Sequence, residues 1–247
     1  MMAAMRSLVA AVAFLTRIPV GRWVDCGRED VASSAMWFPF VGALIGGIEC
    51  LAAWLLRPHL PAAVTAVLLV GLDVLLTGAL HYDGLADSAD GFGGGKDRDD
   101  ILRIMRDHCI GSYGGVALVL AVGMKIAALA ALLGGSAWPR AIIAAPLLGR
   151  WAILLLSAAL PYARATASVV VGMGRKALAW GTLLTALALA AGRDPRLWVA
   201  AAVVLIVAAL LGLYCRRRIG GITGDTLGAG AELGEIAVLL VFLWRVG

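Results

Sequence analysis

Long apolar runs recur along this chain, and they decide what it can fold into. Three of the clearest lie at residues 35–56, 113–133 and 138–160, each close to the ~20 residues that an α-helix needs to cross a bilayer. A transmembrane β-barrel would instead show strands of about ten residues with alternating polarity, and no such alternation is present. Only 15% of the residues are charged, against roughly 25% in soluble domains. We therefore predict an all-α, polytopic transmembrane bundle that forms a single integral membrane domain over residues 1–247.

About seven spans, between roughly six and eight, follow from the positions of these runs. The predicted spans cover 35–56, 62–80, 113–133, 138–160, 177–191 and 197–214, and a last one ends near Trp244. A shorter apolar piece at 8–15 is flanked by Arg6 and Arg17 and is too short to cross a bilayer. We expect this piece to form an N-terminal interfacial or re-entrant helix.

Positive charge is unevenly divided between the two sides that these spans define. Fourteen of the 21 Lys and Arg residues fall on one side, in residues 1–34, 81–112, 161–176 and 216–225. Because Lys and Arg are enriched in cytoplasmic loops, that side is predicted to face the cytoplasm. These flanks explain the net charge of +5, so the charge does not indicate a nucleic-acid-binding surface.

Acidic residues are concentrated in one loop of an otherwise apolar chain. Asp83, Asp87 and Asp90 have the spacing i, i+4, i+7, which places them within roughly a 60° stripe of a helix. We expect the second span, 62–80, to continue into this helix. Three carboxylates on one face repel one another unless a cation joins them, and Mg²⁺ prefers oxygen ligands. The stripe therefore predicts a metal site, with a solvated helix end as the simpler alternative.

A second acidic group lies near the start of the last span. Asp225, Glu232 and Glu235 belong to a segment that is predicted to begin on the same side as the first group. Ionisable groups at membrane depth usually face a cavity or a partner, although the headgroup layer would also accommodate both glutamates. Together the two groups offer enough carboxylates for one or two ions. A pair of divalent ions about 4 Å apart clamps a phosphoryl group during its transfer.

Cations and glycines near these carboxylates are suited to binding phosphate. Lys125 and Arg150 lie inside spans, where they either pair with Asp73 or Glu49 or meet an anionic substrate. Arg106 lies on the predicted cytoplasmic side and is placed to hold phosphate oxygens. Two Gly-rich segments let the backbone approach phosphates closely, or are ordinary turns.

These features together favour phosphoryl or nucleotidyl transfer on a membrane-associated substrate. Segment 87–91 matches the D-x-x-D-G opening of the CDP-alcohol phosphotransferase signature, but the Ala-Arg and the spaced aspartates that should follow are absent. A CDP-alcohol-type membrane phosphotransferase is therefore one alternative. A second is a cation-coupled transporter whose ion path uses Asp73, Glu49 and Lys125, although transporters often contain paired halves and we find no internal repeat.

A closer resemblance extends over nearly the whole chain. It is carried by Phe-Leu-Thr-Arg-Ile-Pro at 14–19, Trp-Phe-Pro-Phe-Val-Gly at 37–42, Asp-Gly-Leu-Ala-Asp-Ser-Ala-Asp-Gly at 83–91, two segments within 104–114, and Gly-Asp-Thr-Leu-Gly-Ala at 224–229. With these motifs the sequence resembles the cobalamin synthase family, also called adenosylcobinamide-GDP ribazoletransferases. One departure is Arg106, where the family pattern has lysine. The charge is kept, although the two side chains bind anions differently.

The resemblance implies a reaction. Adenosylcobinamide phosphate is transferred from adenosylcobinamide-GDP to the 5′-hydroxyl of α-ribazole or α-ribazole 5′-phosphate, with release of GMP and a requirement for Mg²⁺. The expected location is the bacterial inner membrane, with the site loops in the cytoplasm. A homo-oligomer, or an association with other enzymes of the pathway, is left open.

The resemblance also implies a set of site residues, taken together with the pattern of charges. The expected metal ligands are Asp83, Asp87, Asp90, Asp225, Glu232 and Glu235, and the expected substrate contacts are Arg106, Asp107, Lys125 and Gly224. The first three carboxylates are the expected catalytic residues, and Asp87 or Asp90 is expected to take the hydroxyl proton.

Overall fold

The computed structural model describes residues 2–20, 33–107, 109–164 and 175–244, and within these ranges the chain is helical and contains no β-sheet. A 3₁₀ turn at Ala35–Trp37 precedes the second α-helix. The α-helices are α1 (Met2–Leu15), α2 (Phe38–Leu56), α3 (Ala62–Thr77), α4 (Leu80–Gly94), α5 (Arg98–Ile104), α6 (Ser112–Leu133), α7 (Trp138–Ala159), α8 (Arg175–Gly192), α9 (Pro195–Ile219) and α10 (Gly224–Leu243). The predicted all-α class is confirmed.

Five helices are long and apolar enough to cross a membrane: α2 with its 3₁₀ turn, α6, α7, α9 and α10. A sixth crossing arises only if α3 and α4 count as one broken span. The predicted number of about seven spans is therefore too high. The predicted span at 177–191 lies in α8, which opens with Arg175 and Lys176 and is not among the five.

The junction between α3 and α4 is a sharp corner. Gly78 and Ala79 both have positive φ, 65° and 61°, a backbone conformation that only glycine adopts without strain. The backbone N–H of Arg17 donates to the carbonyl of Leu76 at 2.7 Å and fastens the N-terminal segment to this corner. Because α4 runs at 91° to α3, the two helices do not form one straight segment. The second span is thus followed by the acidic helix, as expected, but across a sharp corner.

The N-terminal apolar piece is a short helix, as predicted, although it begins at residue 2 rather than near residue 8. It has 14 residues, so it is too short to span a bilayer. Ala11 and Leu15 are completely buried in the same apolar cluster as Phe38, so α1 packs against the start of α2.

Two helices form the inside of the bundle. In α7 and α10, 78% and 72% of the spanning window is buried, against about a third or less in α2, α6 and α9. The outer helices carry the large exposed apolar side chains that a bilayer would cover, for example Leu75, Val119 and Leu210. The inner pair is therefore where charged groups can be kept away from lipid.

Candidate functional site

The acidic helix α4 crosses the start of α10 with almost no space between the two backbones. A Cβ placed on Gly84 would lie 2.7 Å from the carbonyl oxygen of Asp225, and one placed on Gly228 would lie 3.3 Å from the Cα of Gly84. Only glycine allows this approach. The crossing places Asp83 beside Asp225, and both line a cavity of about 150 Å³ together with Gly224.

This crossing leads to a stability prediction. We expect Gly84→Ala to lower the free energy of unfolding by about 1–3 kcal/mol, because the new methyl group must push α4 away from the Asp225 carbonyl. Gly123→Ala is the matched control, since a Cβ there meets nothing within 4 Å and Ala favours the helix by up to about 1 kcal/mol. Thermal unfolding of both variants in detergent checks this, and equal behaviour of the two would contradict the close crossing.

Like charges are crowded at the crossing. Burial, together with the neighbouring carboxylates Asp83, Asp225 and Asp90, raises the pKa of Asp87 to about 6, while Arg164 opposes them. The side chains of Asp83 and Asp87 have no hydrogen-bond or ion-pair partner in the described part of the chain. Carboxylates that repel one another and lack internal partners have the donor atoms that a hard divalent cation takes.

Asp225 is held in place more firmly than Asp83. Its Oδ2 accepts a hydrogen bond from Arg164 Nη2 at 2.7 Å and from the hydroxyl of Thr223 at 3.2 Å. Thr223 also caps α10 by accepting the N–H of Thr226 at 3.2 Å. The segment before Arg164 is aligned by the N–H of Ala163, which donates to the carbonyl of Ile222 at 2.8 Å. The start of α10 therefore presents an oriented carboxylate to α4.

Asp90 has a second role that its spacing does not indicate. Its two oxygens accept the backbone N–H groups of Gly111 and Gly114 at 2.7 and 2.8 Å, so the side chain caps the N-terminus of α6. An ionised carboxylate has about four lone-pair sites, and two of them are used here. Asp90 remains a predicted metal ligand through the other two.

Three predicted substrate contacts lie near the crossing. Gly224 is the first residue of α10, and a Cβ there would meet nothing within 4 Å, which leaves room for a ligand. Arg106 is exposed just after α5, and its guanidinium makes no ion pair or hydrogen bond with any residue that the structure describes. Asp107 is also exposed and accepts the N–H of Cys109 at 3.3 Å. Their roles remain predictions.

A separate buried cluster surrounds Lys125. Its Nζ lies 3.2 Å from Asp73, 2.9 Å from Glu232 and 2.7 Å from Glu235. The three carboxylates each offer an oxygen within 4.8 Å of the others, an arrangement that would suit a metal ion. The ammonium group of Lys125 already lies within hydrogen-bonding distance of all three, so it acts as their counter-cation. The sequence left open whether Lys125 pairs internally or meets a substrate, and the structure shows the internal pairing.

Two further side chains complete this buried cluster. Arg150, which is completely buried, pairs with Glu235. The hydroxyl of Tyr82 donates to Asp73 at 3.1 Å and accepts from Lys125 at 2.9 Å. Because Tyr82 precedes Asp83 in α4, the cluster adjoins the crossing. Glu232 and Glu235, predicted to bind metal with Asp225, thus contact cations of the protein itself, and their role as metal ligands stays a prediction.

Sequence reasoning did not assign Tyr82 to any site, and it offered Asp73 as one of two pairing partners and as part of the ion path of a transporter. A signal for Asp73 was available, because a lone carboxylate inside an apolar run needs a partner in the bundle. No comparable signal exists for Tyr82, because nothing in the sequence distinguishes it from the other tyrosines of the chain, which has four. Its partners come from α3 and α6, which only the fold brings together.

Comparison with known proteins gives a consistent result. The family model for cobalamin-5-phosphate synthase matches residues 7–243. An adenosylcobinamide-GDP ribazoletransferase from Ralstonia nicotianae is 40% identical, and the match covers 97% of this chain and 95% of the relative. Enzymes of the same name from Clostridium botulinum strain Okra and Shewanella frigidimarina are 38% and 39% identical, with 94% of this chain and 95% and 92% of the relatives covered. No solved structure matches this chain.

Proposed function

This chain belongs to the cobalamin-5-phosphate synthase family, and from that premise we propose that it acts as an adenosylcobinamide-GDP ribazoletransferase, as its relatives are named. It is a membrane-embedded transferase of cobalamin biosynthesis that completes the nucleotide loop. We assign the transferase activity to the crossing of α4 and α10, because Asp83, Asp87 and Asp225 converge there. The CDP-alcohol and transporter alternatives have no comparable support.

The proposed reaction is a phosphoryl-group displacement. The oxygen of a free ribose hydroxyl of α-ribazole, or of α-ribazole 5′-phosphate, whose 5′-oxygen is already esterified, bonds to the phosphorus on the cobinamide side of the diphosphate. The bond from that phosphorus to the bridging oxygen breaks, and GMP leaves with the electron pair. The hydroxyl proton passes to the carboxylate of Asp87, which is half-buried among other carboxylates and is therefore the best proton acceptor of the group.

The residues present at the crossing fit a divalent cation. Asp83 offers a carboxylate without an internal partner, and Asp225 presents one that is already oriented. Asp90 would contribute its two unused lone pairs, and Asp87 is close enough to join them before it accepts a proton. We propose Mg²⁺ as the ion, because it takes carboxylate oxygens together with substrate phosphates. When bound, it would offset the negative charge of the diphosphate.

The site is proposed to face the cytoplasm of a bacterial cell, at the inner membrane. The side of the protein that holds residues 81–112 and 216–225 carries most of the Lys and Arg residues, which is typical of cytoplasmic loops. GDP-activated cobinamide and α-ribazole would then meet the enzyme from the same compartment.

Metal removal tests the reaction. We expect purified protein in lipid, given adenosylcobinamide-GDP, α-ribazole and Mg²⁺, to form cobalamin and GMP in equal amounts. A chelator should stop both products, and added Mg²⁺ should restore them, because the carboxylates alone would repel the diphosphate. Chromatography of both products checks this.

Two outcomes would contradict the proposal. Full activity in excess chelator would contradict the proposed metal dependence, although the proposed transfer would still stand. No product from folded, lipid-embedded protein in the presence of Mg²⁺ would overturn the transfer itself. In that case CDP-linked alcohols would be the next donors to assay.

A further inference from the structure

A basic cavity of about 370 Å³ lies beside the crossing and is not used by the steps above. Four arginines line it, Arg98, Arg103, Arg106 and Arg164, together with Asp99, Leu102 and Ala163. Its volume falls within the roughly 300–1,000 Å³ of small-molecule sites. Arg164 lines this cavity and also binds Asp225, so the cavity adjoins the proposed metal carboxylates.

The walls of the cavity are fixed by contacts that one of the arginines makes. The guanidinium of Arg98 donates to the carbonyl of Ile219 at 3.1 Å and to that of Ala163 at 2.6 Å. It therefore ties α5 to the end of α9 and to the segment that follows α7. Below the cavity, Ile101 and Cys215 are completely buried in a small apolar cluster that joins the same elements. Arg98 is thus a structural residue, and it holds the cavity open.

The other arginines differ in how fully their donors are used. Arg103 is exposed and paired with Asp100 at 2.5 Å. The guanidinium of Arg106 has no partner among the described residues. Arg164 uses Nη2 on Asp225, but its Nε is buried and has no hydrogen-bond partner. Two guanidinium groups therefore face one cavity with donors to spare, and a planar guanidinium is suited to phosphate oxygens.

We propose that this cavity binds the phosphate of the guanosine nucleotide, with Arg106 and Arg164 as its ligands. The inference rests on the proposed function, in which GMP leaves from the side of the diphosphate opposite to the attacking oxygen. As the bridging bond breaks, that phosphate gains a negative charge. Arg164 contacts both Asp225 and the cavity, so it lies between the metal carboxylates and the departing group. Arg106 would neutralise the same phosphate from the end of α5.

GMP binding tests the cavity without any transfer chemistry. Radiolabelled GMP would be dialysed to equilibrium against the full-length protein in lipid nanodiscs, with Mg²⁺ present. We expect Arg106→Gln to weaken binding by about 10- to 100-fold, the range for a hydrogen bond to a charged group. The GMP affinity of Arg106→Lys should lie between those of Arg106→Gln and the unmodified protein, because lysine keeps the charge but loses the bidentate geometry.

Arg217→Gln is the matched control, because Arg217 is an exposed arginine in the last turn of α9 and does not line the cavity. It should bind GMP as the unmodified protein does. Inorganic phosphate and CMP serve as competitors: competition by phosphate at millimolar concentration supports a phosphate site, and no competition by phosphate overturns it. CMP reports on whether the base adds selectivity, and tighter binding of GMP than of CMP supports a guanosine nucleotide as the ligand.

The outcomes separate this inference from the proposed function. Equal GMP affinity in Arg106→Gln and unmodified protein overturns the inference, whether or not the protein performs the transfer. An unmodified protein that shows no transfer but whose GMP binding depends on Arg106 overturns the proposed function and leaves a nucleotide site. GMP inhibition of the transfer that weakens in Arg106→Gln, in step with the binding constants, supports both.

Discussion

Exchanging Asp83 for asparagine is expected to lower the rate of GMP release by about 10³-fold. The change removes a negative charge from the crossing without altering the size of the side chain. Stabilisation of a transferring phosphoryl group by a metal is worth several kcal/mol, and about 4 kcal/mol corresponds to ~10³ in rate. Folding should be unaffected, because Asp83 has no internal partner to lose among the described residues.

The control for Asp83 is Asp97→Asn, an exposed aspartate one helix further along. Asp97 caps α5 by accepting the N–H of Asp100 at 2.9 Å, and asparagine caps equally well. This variant should keep the transfer rate and the melting temperature of the unmodified protein. An additional readout is the Mg²⁺ concentration for half-maximal rate, which should rise in Asp83→Asn. If Asp83→Asn changed neither the rate nor the Mg²⁺ dependence, the assignment of Asp83 as a metal ligand would be contradicted.

Lys125→Met is expected to destabilise the protein by about 3–5 kcal/mol, the range for breaking a buried charge pair by removing one partner. Methionine fills a similar volume, so the loss is electrostatic rather than a loss of packing. It leaves Asp73, Glu232 and Glu235 facing one another, with only Arg150 to offset them. Thermal unfolding in detergent checks the expectation.

A second variant makes this prediction sharper. Adding Glu232→Gln to Lys125→Met removes one of the stranded carboxylates, so it should restore part of the lost stability, a coupling that a double-mutant cycle measures. Lys176→Met, at the exposed start of α8, controls for the loss of a lysine and should have little effect. Stability losses that simply add in the double variant would show that Lys125 does not act through these carboxylates.

Helical spacing predicted the acidic stripe, because three aspartates at i, i+4 and i+7 depend only on the period of the α-helix. The structure places all three on α4. The same spacing did not reveal that Asp90 caps α6, since Gly111 and Gly114 come from a segment some twenty residues away. A pattern within one helix carries no information about which distant N–H groups reach it.

The break after the predicted span at 62–80 was missed for a local reason. Counting apolar runs assumes that each run is one straight helix, whereas the run at 62–80 stops at Gly78. A glycine with positive φ is common at a helix end, but Ala79 also takes positive φ, which its side chain disfavours. The corner is stabilised from outside, by the N-terminal segment at Arg17. A run of apolar residues does not predict such a contact.

The alternating charges at 96–100 are typical of a solvated surface, and this describes the segment only in part. Asp99 is indeed almost fully exposed. Arg98, which alternates with these aspartates, instead turns back to two carbonyl groups and forms a wall of the basic cavity. Arg98 stays half-exposed, so its two contacts with carbonyl groups follow from the packing of α5 against the end of α9 and not from its sequence context.

The buried cluster also constrains how the chain enters a membrane during translation. Lys125 and Arg150 emerge from the ribosome before α10 exists, and a lone cation at the centre of a helix costs about 2.5–3.5 kcal/mol to insert. Asp73 on α3 is already available to Lys125, whereas Glu235, the partner of Arg150, arrives only with the last helix. A nascent chain that stops before Gly224 therefore holds Arg150 without the ion-pair partner that it has in the folded structure. The last helix thus completes the charge balance inside the bundle, because it supplies the carboxylates of Glu232 and Glu235 to both buried cations.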